Sequence, residues 1–211
     1  MTADVPPDLP LTEVSELLIQ RKVSPVELTQ SCLDRIESAN GQVNALVFVD
    51  PETAIAQAAE AQQRYALRQP LGLLDGLPIV VKDNIAVSGW PMTNGLAVQH
   101  TSSADADIVS RLRRQGVVML GSANMDEGAL AAAGVNPHHG RIMNPDFPGY
   151  ASGGSSSGSA AAVAAGFCCA ALGTDTLGSV RLPAAYCGLV GFKPSHGRLS
   201  TTGIISLLPE L

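Results

Sequence analysis

The sequence predicts an α/β protein with a largely parallel central sheet flanked by helices. Short apolar runs of strand length alternate with segments of helical periodicity, the order expected when crossover helices cover a parallel sheet. Hydrophobic residues make up 45% of the 211 residues and charged residues only 15%, which supports a core of useful size. Neither an internal repeat nor an interdomain linker breaks the pattern.

The elements follow in order. "LTEVSELLIQRK", beginning at Leu11, is helical, with Val14, Leu17 and Leu18 on one side. Ser24-Pro25-Val26-Glu27 then supplies a capping serine, a proline at the first helical position and a glutamate three residues after the cap. Leu28, Cys32 and Ile36 recur every four residues along this second helix, and Asn40-Gly41 is expected to stop it. "ALVFV" at 45–49 reads as a strand. The Ala-rich stretch after Pro51 reads as a third helix, ending near Gln69-Pro70. Residues 1–70 thus form an N-terminal helical region that packs on the core and carries no candidate chemistry.

Residues 71–211 hold the rest, within one domain overall. A turn at Asp75-Gly76 leads into a strand over 78–81 that delivers Lys82 at its end. A helix in "DADIVSRLRRQG", a strand at 117–120 and another helix starting in "SANMDEGALAA" follow. The loop "GVNPHHGRIMNPDFPGY" runs into "YASGGSSSGSAAAVAAG". Beyond it the pattern predicts a helix over 156–165, a strand over 167–172, a loop over 173–188 and a strand over 189–192.

Charge and cysteine usage narrow the function classes. A net charge of −6 argues against nucleic acid or an acidic membrane surface as a direct partner. Cys32, Cys168, Cys169 and Cys187 form no C-x-x-C pair, so they read as buried reduced thiols rather than a zinc or redox site. The opening "MTADVPPDLP" has no basic segment leading into an apolar core, and no stretch reaches the length of a membrane span. A cytoplasmic protein is expected.

The small-residue stretch at 150–166 admits three chemistries. Gly153 and Gly158 have Walker-loop spacing, but Ser159 and Ala160 stand where lysine and a hydroxyl residue belong, so a phosphate has nothing to pair with. Gly154-Ser155-Ser156-Ser157-Gly158 spells G-x-S-x-G, yet a nucleophile elbow needs a strand running into the serine, and Pro145, Pro148 and Gly149 describe a loop. His138 and His139 precede the serine and His196 follows it too closely for that fold's triad order. The third chemistry uses Lys82, whose amine would be desolvated at the end of "IVVK". The loop "GTDTLGSVRLPA" presents Ser179 behind successive backbone N–H groups, as an oxyanion site requires. An amine base, a relay hydroxyl and a nucleophilic hydroxyl suffice for acyl transfer without histidine.

From about Leu71 onward the sequence resembles the amidase signature family. "GLPIVVKDNI", "ADADIVSRLRRQGVVMLGSANMDE", "GGSSSGSAAAVAAG" and "ALGTDTLGSVRLPAAYCGLVGFKPSHGRLS" are similar to that family's blocks and stand in the family's order. The resemblance implies a Ser–cis-Ser–Lys triad, with Lys82 as base, Ser155 as relay and Ser179 as nucleophile. It implies an oxyanion hole of backbone N–H groups from Thr176, Leu177, Gly178 and Ser179. It gives Ser156, Asp175 and Arg181 supporting roles, and places Gly128 and Ala129 in the acyl pocket.

Two features depart from the family pattern. Leu177 stands where the family has glycine, and the chain is shorter than family members, which implies a core lacking its C-terminal part. The expected function is hydrolysis of a linear carboxamide or carbamoyl C–N bond in a small-molecule substrate, through an acyl-enzyme, with no metal or cofactor. "NMDE" is also similar to the glutaminase subunit of a tRNA-dependent amidotransferase, which is the enzymatic alternative. An inactive truncated remnant serving as an interaction module is the alternative of another class. The apolar tail "GIISLLPEL" leads to the expectation that the chain self-associates or pairs with the missing C-terminal half.

Overall fold

The computed structural model describes residues 9–207. The N-terminal "MTADVPPD" and the last four residues of the apolar tail, both of which enter the expectations above, lie outside the described residues. The N-terminal region comprises α1 (Leu11–Ile19), α2 (Pro25–Val43), β1 (Leu46–Val49) and α3 (Pro51–Ala66). Next come β2 (Pro78–Lys82), the short strands β3 (Pro91–Met92) and β4 (His100–Thr101), α4 (Asp107–Arg114) and β5 (Val118–Ala123). After a 3₁₀ turn at Glu127–Ala129 the chain forms β6 (Val135–Asn136), β7 (Gly140–Arg141), α5 (Ser157–Ala164), β8 (Ala170–Leu172) and α6 (Arg181–Tyr186).

The central sheet has the order β1-β5-β2-β8, with β2 parallel to both β5 and β8 and β1 antiparallel to β5. Side chains alternate across it. Val80, Val118 and Leu120 enter a core shared with α2, α3 and α5, whereas Ile79, Val81 and Met119 enter the opposite core beneath α4 and Trp90. Both faces are thus covered, as a parallel sheet requires. The alternation also decides where Lys82 goes. Two residues beyond Val80, it turns to the α5 side of the sheet.

Several elements differ from the sequence reading. α2 runs through Gly41 to Val43 and ends on Asn44 in the left-handed conformation. Asn40 does not stop it, because its side chain is engaged by Leu46, donating to the carbonyl at 3.0 Å and accepting from the N–H at 2.9 Å. α3 ends at Ala66, where Leu67 caps it. "SANMDEGALAA" forms no α-helix beyond its 3₁₀ turn. β5 extends through Ala123, and positive φ at Gly128 and Ala129 prevents propagation.

The segment at 167–172 pairs only from Ala170, with Phe167 and Cys168 buried ahead of the strand. The loop expected at 173–188 contains α6, in which Pro183 is tolerated because first-turn N–H groups have no intrahelical acceptor. Finally, 189–192 is not a strand. The residues find no sheet partner among the described residues, and Val190 is 98% and Phe192 78% exposed.

Candidate active site

Three chain segments converge at the C-terminal ends of β2 and β8: the β2 exit, the turn into α5 and the loop after β8. Lys82 has no solvent-exposed surface. Its Nζ donates to Ser155 Oγ at 2.8 Å and to Thr174 Oγ1 at 2.9 Å. Burial pushes its amine down to about 7, against the attraction of Asp126 and Asp175 for the charged form.

Ser155 sits in the turn into α5, and the Gly154–Ser155 peptide is cis. Glycines give the turn its room. A Cβ on Gly154 would lie 1.8 Å from Asp126 Oδ2, and one on Gly158 only 2.3 Å from the Ala45 carbonyl and 2.4 Å from that of Asn124. The backbone of this turn is tied down by its neighbours. Asp126 N–H donates to the Ser155 carbonyl at 3.3 Å, and Gly158 N–H to the Asn124 carbonyl at 2.9 Å. Ser156 N–H donates to the Ser179 carbonyl at 3.1 Å, which joins this turn directly to the loop after β8. Ser156 Oγ in turn bonds the Thr174 backbone, donating to its carbonyl at 3.2 Å and accepting its N–H at 3.3 Å.

The loop from Thr174 to Arg181 is organised around the Asp175 carboxylate. It accepts N–H bonds from Gly178 at 2.8 Å, Val180 at 3.1 Å and Arg181 at 3.3 Å, and two more from the Arg181 guanidinium at 3.0 and 2.9 Å. Burial raises its pKa, but the Arg181 guanidinium and these N–H donors outweigh that and hold it at about 2. Within the expected oxyanion set, Gly178 N–H is therefore engaged by Asp175. The N–H groups of Thr176, Leu177 and Ser179 have no hydrogen-bond partner among the described residues. Leu177 is 88% exposed, so its side chain points outward.

The geometry thus joins Lys82 to Ser155 through side chains, and Ser179 to this pair through the backbone of Ser156. The Ser179 hydroxyl has no hydrogen-bond partner among the described residues. Ser156 holds Thr174 and Arg181 holds Asp175, and neither is hydrogen-bonded to Lys82 among the described residues. Gly128 and Ala129 lie on the 3₁₀ turn beyond Asp126, and Gly128 N–H donates to the Asn94 carbonyl at 3.0 Å.

Sequence reasoning missed Thr174 and Asp126. Asp126 is fully buried, accepting from Val135 N–H at 2.9 Å and Ser157 Oγ at 3.3 Å. No sequence spacing singles out Thr174; strand register brings its segment to Lys82. Val81 pairs with Leu172, so the residues just past both strands lie side by side. No group of three or more His, Cys, Asp or Glu side chains among the described residues could hold a metal ion. No helix there is long and apolar enough to cross a membrane.

The family profile described as Amidase matches residues 27–211. A glutamyl-tRNA(Gln) amidotransferase subunit from Methylobacillus flagellatus is 43% identical over 95% of this chain and 41% of its own length. The mitochondrial counterpart from Homo sapiens is 41% identical, over 95% of this chain and 42% of its own. Among solved structures, the peptide amidase of Stenotrophomonas maltophilia superimposes with a TM-score of 0.88 at 34% identity, over 94% of this chain and 42% of that one. A bacterial aryl acylamidase superimposes with a TM-score of 0.77 at 31% identity, over 84% of this chain and 37% of that one. The chain spans about two-fifths of the length of the curated relatives it matches.

Proposed function

The chain belongs to the amidase family, and from that premise we propose that it cleaves an amide C–N bond by acyl transfer to Ser179. The observation that carries the chemistry is the buried Lys82 amine held 2.8 Å from the Ser155 hydroxyl. A buried amine that titrates near neutrality can act as a base, and Ser155 is placed to pass protons to it. In this mechanism Ser179 Oγ attacks the amide carbonyl carbon while its proton moves to Ser155 and the Ser155 proton moves to Lys82. Free N–H groups of the Thr176–Ser179 loop stabilise the oxyanion. As the C–N bond breaks, the departing nitrogen takes a proton back from Ser155, which is replenished by Lys82. Water then hydrolyses the resulting ester on Ser179.

The relatives named as glutamyl-tRNA(Gln) amidotransferase subunits favour one substrate. In this reading the amide is the side-chain carboxamide of glutamine, and the released ammonia is used by partner subunits of such an amidotransferase. The expectation of no direct nucleic-acid partner does not carry over to such an assembly, which is named for a tRNA. The peptide amidase and aryl acylamidase neighbours support a second reading, in which the enzyme hydrolyses linear amides by itself. An inactive interaction module is the remaining alternative.

The test is ammonia release from glutamine and from a panel of simple amides, with and without the other amidotransferase subunits and their aminoacylated tRNA. Glutamine turnover that depends on the partners supports the amidotransferase reading. Turnover of simple amides by the chain alone supports the second. A folded protein that hydrolyses no amide and takes no fluorophosphonate label overturns both.

A further inference from the structure

The corner that holds Lys82 contains a buried side chain with no role so far. Asn84 follows Lys82 by two residues and is 1% exposed. Its Nδ2 donates to Thr174 Oγ1 and to the Ile205 carbonyl, both at 3.1 Å, while its own backbone carbonyl accepts the Ile205 N–H at 2.9 Å. A carbonyl oxygen can only accept, so Ile205 dictates which end of the Asn84 amide is nitrogen. Asn84 Oδ1 is then left buried without a partner among the described residues. That arrangement costs free energy and is expected where a function requires it.

The consequence falls on Thr174. Its hydroxyl has two lone pairs and one proton. Asn84 occupies one lone pair, and Lys82 Nζ lies 2.9 Å from the same oxygen. One lone pair and one proton remain for the amine, so Thr174 can accept from the ammonium and donate to the neutral amine. We propose that Asn84 is a positioning residue: by fixing the Thr174 hydroxyl against Lys82 it sets the orientation and proton affinity of the amine, and it anchors that setting to the segment at Ile205. This rests on the reading of Lys82 as the base. The charged groups facing Lys82 are Asp126, before the 3₁₀ turn, and Asp175, in the loop after β8. Asp83, its chain neighbour, is bonded to Thr93 and Gly95 instead.

The test follows Lys82 directly by NMR, using lysine labelled with ¹³C at the ε-carbon. The sequence has only three lysines, Lys22, Lys82 and Lys193, and Lys82→Met assigns the signal. Asn84→Asp removes the donor, turns the Thr174 proton toward a carboxylate and adds negative charge, so the Lys82 titration should rise by about one pH unit or more. Asn84→Ser, too short to hold Thr174, should lower it, as should Thr174→Val, and the double variant should fall no further than Thr174→Val alone. An unchanged Lys82 titration in either folded Asn84 variant overturns the proposal. So does failure of both to fold, which would make Asn84 purely structural. No substrate is involved, so the outcome is independent of the function assay. Full amide turnover by Lys82→Met would remove Lys82 as the base while leaving the Asn84 link to its titration standing.

Discussion

Lys82 Nζ lies 2.8 Å from Ser155 Oγ, and neither residue has any solvent-exposed surface. The two stand 73 positions apart in the chain, one leaving a parallel strand and the other in the turn into α5. Burial brings the amine down to about 7. Only the neutral amine can take a proton, so the hydrolysis rate should climb as pH rises through about 7 and then level off. A pH–rate profile between about 5.5 and 9 checks this, and a rate flat from about pH 6 to 8 contradicts a lysine base.

The same shift bears on stability. The unfolded lysine titrates at its ordinary 10.5 and the folded one at about 7. Between those values the unfolded chain holds a proton that the folded one lacks, so stability increases with pH across that window. At about 1.36 kcal/mol per unit, the protein should gain roughly 2–3 kcal/mol from pH 7 to 9 relative to Lys82→Met. Urea unfolding of both proteins at the two pH values measures it. Parallel behaviour would mean that Lys82 is not buried as described.

Ser179→Ala should abolish amide turnover and covalent labelling by a fluorophosphonate while leaving the thermal melt within about 2 °C of the parent, since the Ser179 hydroxyl bonds nothing among the described residues. Intact-mass spectrometry reads the adduct. Labelling that persists in the alanine variant would transfer the nucleophile's role to another serine.

Gly158→Ala should fail structurally rather than chemically. The added Cβ meets backbone atoms of Ala45 and Asn124 at 2.3 to 2.6 Å, and backbone in the first turn of α5 and at the end of β5 cannot step aside. A loss of about 3 kcal/mol or more is expected, seen as a much lower melting temperature or as insoluble protein. A variant that melts with the parent would show that this turn is loosely packed.

β8 pairs only with β2 among the described residues and so ends the sheet. Val190, Phe192 and Leu177 leave large apolar side chains in solvent on the same C-terminal third of the chain. The isolated chain should therefore associate, and a polypeptide supplying the remaining length of its longer relatives should suppress that association. Light scattering with size-exclusion chromatography decides it. A monodisperse monomer at high concentration would show that the open edge is already protected.

Much of the fold could be read from local patterns. The capping box at Ser24 forms as its spacing requires, with Glu27 N–H on Ser24 Oγ and Ser24 N–H on the Glu27 carboxylate. The apolar run at 78–81 reads as a strand and forms β2, every residue of it buried, with Lys82 at its end. Local signals misled where tertiary contacts overrode them. Asn40-Gly41 looks like a helix stop until Leu46 claims the Asn40 side chain. "LVGF" at 189–192 looks like a strand, but β-propensity cannot supply a neighbouring strand to pair with.

The sequence by itself determined the α/β class and the starts of α1 to α5, because capping, alternation and helical periodicity are properties of neighbours along the chain. It also identified Lys82, Ser155 and Ser179 as candidates through their blocks. Only the tertiary structure decided how those residues meet. The parallel register of β2 with β8 sets Thr174 beside Lys82, and the Ile205 carbonyl orients Asn84. The Asp175 carboxylate takes the Gly178 N–H from the expected oxyanion set. Most of these depend on hydrogen bonds between segments tens of residues apart, whose partners are chosen by packing and not by sequence spacing.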